Sequence, residues 1–97
     1  MPATREEVYQ AIDGERDYQG VRWNAGTTSS GGQHSVTEFL VFMRDYVEAA
    51  LHTVSRNPEP GASEAALHEI RKVAALGVAC MEQHGAPKRE VPACKIT

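Results

Sequence analysis

Clustered positive charge is what this sequence lacks most plainly. Ten Lys and Arg stand against 13 Asp and Glu in 97 residues, for a net charge of -3, and the tail pair Lys88-Arg89 is the nearest thing to a basic run. Duplex DNA and anionic membrane surfaces reward a basic face, so both are excluded as expected partners. No apolar run approaches the roughly 20 residues that span a bilayer. The opening "MPATREEVYQ" has no apolar core of the kind a secretion signal carries. Cys80 and Cys94 are the only cysteines, too few for a disulfide framework, and neither has a second ligand at zinc-binding spacing. His34, His52, His68 and His84 are widely separated, which points to solvated or capping histidines and to no metal site. A reduced, cytoplasmic chain without a cofactor is the expectation. No segment alternates apolar and polar residues, so no strand is expected.

What the sequence has is helical periodicity. One small all-α domain is expected over 1–97: a helix over 4–19, an ordered loop over 20–34, helices over 35–56 and 63–84, and a loose tail over 86–97. Thr4 with Glu7 and Ser35 with Glu38 are spaced as capping boxes. The first helix is thinly apolar, and Gly14 predicts a bend in it. In the second, Val36, Leu40, Met43, Val47, Ala50 and Val54 make a heptad seam, widened by Phe39, Phe42, Tyr46 and Leu51. Pro58 and Pro60 break that helix. Ser63 is the expected N-cap of the third, whose seam reads Leu67, Ile70, Ala74, Gly77, Met81 and His84. Ala74 and Gly77 suggest a close helix approach, and Gly85 with Pro87 marks the stop. Two helices of this length joined by a short turn make an antiparallel hairpin. Their apolar stripe is too wide for a two-helix contact, so the rest must meet the first helix or another protomer.

The stretch "GTTSSGGQH", Gly26 to His34, reads in two ways. It is a slack connector, or it is a cradle in which Thr27, Thr28, Ser29 and Ser30 donate hydrogen bonds while Gly31 and Gly32 let backbone N–H groups approach an anion. Helix two follows, and its N-terminus suits a phosphate. Tyr9, Tyr18 and Trp23 are aromatics with faces for a base, and Arg22 could meet a phosphate. The loop has no Gly-Lys-Ser/Thr, so it is not a nucleoside triphosphate loop. Asp45 and Glu48 share a face of helix two, but Glu64 and Glu69 do not share one on helix three, so a magnesium site of the kind helical pyrophosphohydrolases use is incomplete. Asp13, Glu15, Arg16 and Asp17 read as a polar helix face that pairs with a neighbour.

"AIDGERDYQGVRWN", "TTSSGGQHSVTEFLVFMRDYVEAA" and "ALHEIRKVAALGVACMEQHGAPKR" together resemble the phage anti-CBASS cyclic-nucleotide sponges, which share a helical hairpin domain with the sponges that inhibit Thoeris immunity. The likeness runs from about Val8 to Arg89. It implies a binder with no enzymatic step, working in the host bacterial cytoplasm as a homo-oligomer, typically a hexamer. It implies that cyclic dinucleotides, and in some members cyclic trinucleotides, are captured between protomers. Carried onto this chain, Tyr9 would stack on a base, with Trp23 beside it, and Thr27, Thr28, Ser29 and Ser30 would hold phosphate or ribose. Arg71 and Lys72 would serve a second, trinucleotide pocket. Sponges of this kind can place a Lys in the loop before helix two; this loop has none, so Arg22 or another protomer would supply the charge. Two other classes remain open: a structural or protein-binding helical module, and a magnesium-dependent nucleotide hydrolase using Asp45 and Glu48.

Overall fold

The computed structural model describes residues 2–22, 32–56 and 61–90, which form three α-helices: α1 (Arg5–Arg22), α2 (Val36–Arg56) and α3 (Gly61–His84). There is no strand among the described residues. Both expected capping boxes form. Thr4 Oγ1 accepts from the Glu7 amide at 3.1 Å while Glu7 Oε1 accepts from the Thr4 amide at 3.0 Å. Ser35 and Glu38 repeat the exchange at 3.1 and 2.8 Å. Each box satisfies two amides that the helix itself leaves unpaired. At the other end of α3, Gly85 takes a positive φ of 117° and its amide donates to the Met81 carbonyl at 2.8 Å. A residue with a Cβ resists that conformation, which is why glycine stands where the helix stops.

Several boundaries differ from the sequence reading. α1 continues three residues past 19, to Arg22, and Gly14 sits inside an uninterrupted helix. One glycine costs about 1 kcal/mol of helix propensity, too little to end a helix that packs on a neighbour. α3 begins at Gly61, so Ser63 lies inside its first turn and is not the N-cap. Residues 57–60, with Pro58 and Pro60, fall outside the described residues, as do 91–97 of the expected loose tail; 86–90 have no regular structure.

α3 is the shared element: α1 and α2 both meet it and do not meet each other. Phe39 of α2 packs with Leu76 and Ala79 of α3, and Lys72 of α3 reaches Tyr46 of α2, so these two helices run in opposite directions. Phe42, Met43, Tyr46 and Cys80 close around that cluster. Met43 of the α2 seam joins this cluster, but most of the expected seam residues are not the contact. On α2, Val36, Leu40, Val47 and Val54 are exposed, Leu40 by 58%, and the aromatics set beside the seam face α3 instead. On α3, Leu67, Ile70 and Met81 are exposed, Leu67 by 61%, while Ala62, Ala66, Ala75, Leu76 and Ala79 are buried. The physical reason is complementarity: small alanines on α3 open a groove that large rings on α2 fill, and the rings bury more area than the aliphatic seam would. Gly77 does not serve the close approach expected of it; a Cβ there would meet nothing within 4 Å.

α1 is joined to α3 mainly through polar groups. Arg71 Nε donates to Glu15 Oε1 at 2.7 Å, Arg16 Nε donates to Glu82 Oε1 at 2.5 Å, and Gln19 Nε2 donates to the Lys72 carbonyl at 3.3 Å. Glu15 and Arg16 of the polar face expected of α1 thus pair within the chain, on α3, while Asp13 and Asp17 are exposed. Val8, Tyr9, Tyr18 and Val21 of α1 remain exposed.

Candidate functional site

A cavity of about 460 Å³ opens where the three helices converge. Phe39, Phe42 and Tyr46 wall it from α2, Leu76 and Ala79 from α3, and Arg16 and Gln19 from α1. The ring-bearing face of α2 forms that wall because α3 is too narrow to cover all of it. Its volume lies within the roughly 300–1,000 Å³ of small-molecule pockets, and the mix of aromatic wall and few polar groups is typical of them.

The segment entering α2 is fastened to the end of α3 at one edge of this cavity. Gln83 works in both directions, donating Nε2 to the Gly32 carbonyl at 2.9 Å and accepting from the His34 amide at 3.0 Å. His84 donates Nε2–H to the His34 carbonyl at 2.7 Å, which fixes its tautomer. The His34 ring meets Phe39 and Phe42 edge-on, with centroids 5.6 and 5.1 Å away. His34 is therefore half-buried against aromatics and not solvated, and His84 is a clamp on the chain. His52 and His68 are exposed as expected, and His68 Nδ1 accepts from Arg71.

Of the residues singled out in the sequence, Tyr9 lies exposed on α1 and Arg22 is the last, exposed residue of that helix. Neither lines the cavity. Trp23, Thr27, Thr28, Ser29 and Ser30 lie outside the described residues. Arg71 and Lys72 are adjacent on α3 but reach different elements. Arg71 is held by Glu15 of α1, whereas Lys72 Nζ pairs with Glu69 at 3.1 Å and lies 5.6 Å from the Tyr46 ring of α2. Within one chain they do not form a single cationic cradle. Asp45 and Glu48 are both exposed on α2, and among the described residues no group of three His, Cys, Asp or Glu is placed to hold a metal ion.

Gln19 and Gln83 were not legible as site residues before the fold was known. A glutamine near the end of a helix carries no spacing signal, and only the position of α3 shows that Gln19 is buried. Two carboxylates shift for a local reason. Glu7 is held below its ordinary 4.5 by hydrogen bonds from the Thr4 backbone and then the Thr4 hydroxyl, and Glu38 likewise by Ser35, with His34 adding a smaller effect. Both belong to helix starts and not to the cavity. No helix among the described residues is long and apolar enough to cross a membrane. Comparison with protein-family models, curated proteins and solved structures gives no match to this chain.

Proposed function

We propose that this chain is a phage anti-defence protein that binds cyclic oligonucleotide immune signals and sequesters them unaltered, acting as a homo-oligomer in the host bacterial cytoplasm. Cyclic dinucleotides are the ligands proposed first, with cyclic trinucleotides beside them. The sequence resemblance supplies this reading. The observation that carries it beyond resemblance is the aromatic-walled cavity, since Gly32, the described end of the hydroxyl-glycine segment, lines it. A cavity of this size holds a base and its sugar, and a neighbouring protomer would complete the enclosure of a cyclic molecule. The helical hairpin is the unit that would repeat, and six copies are the proposed assembly. The test is a thermal-shift screen against cyclic di- and trinucleotides with a native mass measurement. Saturable binding by an oligomer, with the ligand recovered intact after denaturation, supports the reading; recovery of linear nucleotide overturns it.

One observation favours a second reading. Leu40, Val47, Leu51 and Val54 on α2 and Leu67, Ile70 and Met81 on α3 are exposed, and faces so apolar commonly mark protein contacts. A helical module that docks a foreign helix would leave the same faces bare. It would show no thermal shift with any cyclic nucleotide, and residues 24–34 would tolerate replacement by a Gly/Ser linker.

A further inference from the structure

Among the described residues that line the cavity, His34 alone carries a group of the kind that changes charge near neutral pH. Its two ring nitrogens stand in different settings. Nδ1 is shielded, has no hydrogen-bond partner and lies 3.9 Å from Glu38 Oε2. Nε2 is not shielded, and it too has no partner among the described residues. The ring is held at the cavity wall, because the His34 amide is tied to Gln83, its carbonyl to His84, and its edges to Phe39 and Phe42. A neutral imidazole has one N–H for two nitrogens. With that hydrogen on Nδ1, toward Glu38, Nε2 shows the cavity a lone pair. A second proton turns Nε2 into a charged donor.

Arg16 is the standing cation of the same lining. Glu82 takes its Nε, and its Nη groups have no partner among the described residues. The titratable and charged groups around the His34 ring come from every helix: Glu38, Asp45 and Tyr46 on α2, Glu82 and His84 on α3, and Arg16 on α1. Glu38 is placed to pair with a protonated Nδ1, which leaves Nε2–H for a ligand. Gln19 Oε1 is unpaired as well, but it has almost no accessible surface and offers a ligand nothing. We propose that Arg16 and the protonated His34 ring hold a phosphodiester in this cavity, so that capture takes up a proton from solvent and tightens as pH falls through the neutral range. Phe42 and Tyr46 then cover an attached base. This rests on the cyclic-oligonucleotide reading for the class of ligand, and adds to it the phosphate contacts and their dependence on pH.

Calorimetric titration of the full chain with cyclic di-AMP and cyclic di-GMP at about pH 6 and about pH 8 tests this. A phosphodiester keeps one charge across that range, unlike a monoester, whose second ionisation falls at about pH 6, so any change belongs to the protein. Affinity is expected to be at least about fivefold tighter at the acid end. Heats in buffers of different ionisation enthalpy should show proton uptake by the parent chain, a readout that needs no variant. Adenosine, which has no phosphate, should bind weakly and without pH dependence. His34→Gln keeps a donor and an acceptor but not the charge; it should leave the alkaline affinity within about twofold and abolish the acid gain. Arg16→Gln should weaken binding about tenfold at both pH values and leave the gain in place. A merely structural His34 would lower both affinities together. The assignment is overturned if binding takes up no proton, if adenosine binds as cyclic di-AMP does, if the gain survives His34→Gln, or if His84→Gln removes it instead. Binding of both cyclic dinucleotides without pH dependence overturns the phosphate contacts and leaves sequestration standing; if no cyclic oligonucleotide binds at either pH, sequestration itself fails.

Discussion

Arg71 closes the joint between α1 and α3, its Nε 2.7 Å from a Glu15 carboxylate whose side chain is only 10% exposed. Removing the guanidinium would leave that carboxylate shielded and unpaired. Arg71→Met should therefore lower the unfolding free energy by about 1–3 kcal/mol, measured by urea denaturation. Arg16→Met, whose partner Glu82 is more than half exposed, should cost less than about 1 kcal/mol. Equal losses would mean that the Glu15 pair is no better shielded than the Glu82 pair.

The same pair limits what Arg71 can offer a ligand. A guanidinium already bound to a carboxylate meets a phosphate less readily, since the two anions compete for it. Glu15→Gln is expected to weaken the fold yet raise affinity for cyclic trinucleotides severalfold. Unchanged trinucleotide affinity, in a variant that still folds, would remove Arg71 from the account of binding.

Acid should act first at the helix starts. Folded-state titration of Glu7 and Glu38 lies below the ordinary 4.5, so each contributes stability that is present above that value and lost as pH falls through the depressed one. Amide exchange at the first turns of α1 and α2 should quicken as pH drops below about 4.5, with the interior of α3 following later. Glu7→Gln and Glu38→Gln should flatten this early phase. An unchanged early phase would assign it to other carboxylates.

Two glycines should respond in opposite directions. Gly14 lies in mid-helix with nothing within 4 Å of an added Cβ, so Gly14→Ala should stabilise the fold by about 1 kcal/mol. Gly85 at φ 117° has equal space but a strained conformation for any side chain, and Gly85→Ala should cost about 1 kcal/mol. Thermal melts of the two variants on either side of the parent would bear this out.

Helix identity was legible because it is written in local terms: capping pairs, a stop glycine and a period. Which face of a helix meets which neighbour is a contest between surfaces, and the period does not settle it. Phe39 and Tyr46 stood beside the aliphatic seam of α2 and could be read as its margin, yet they are the contact. Leu76 and Ala79 are equally apolar to the eye as Ile70 and Met81, and only the first two are buried. Gln19 was invisible for the same reason, since its meaning depends on the backbone carbonyl of a residue 53 positions away. The width of the stripe was the informative signal: it exceeded what two helices cover, and the surplus is what remains exposed.

That surplus supports the last prediction. Leu40, Leu51, Leu67 and Ile70 are exposed by 55–61%, and water-facing leucines in such number are stabilised when another copy covers them. Leu40→Glu and Ile70→Glu leave the contacts of a single chain intact, so helicity by circular dichroism should stay near that of the parent. Assembly should instead dissociate, which sedimentation velocity reads directly. Gly77→Ala tests the same face by addition: outside its own helix backbone and chain neighbours, no atom of the chain lies within 4 Å of an added Cβ there, so a change in assembly would come from a neighbouring copy. If all three variants sediment as the parent does, the exposed faces are not the contact between copies. If they dissociate and lose cyclic-nucleotide binding together, then enclosure by a second protomer is required and the three-helix cavity alone is insufficient to hold the ligand.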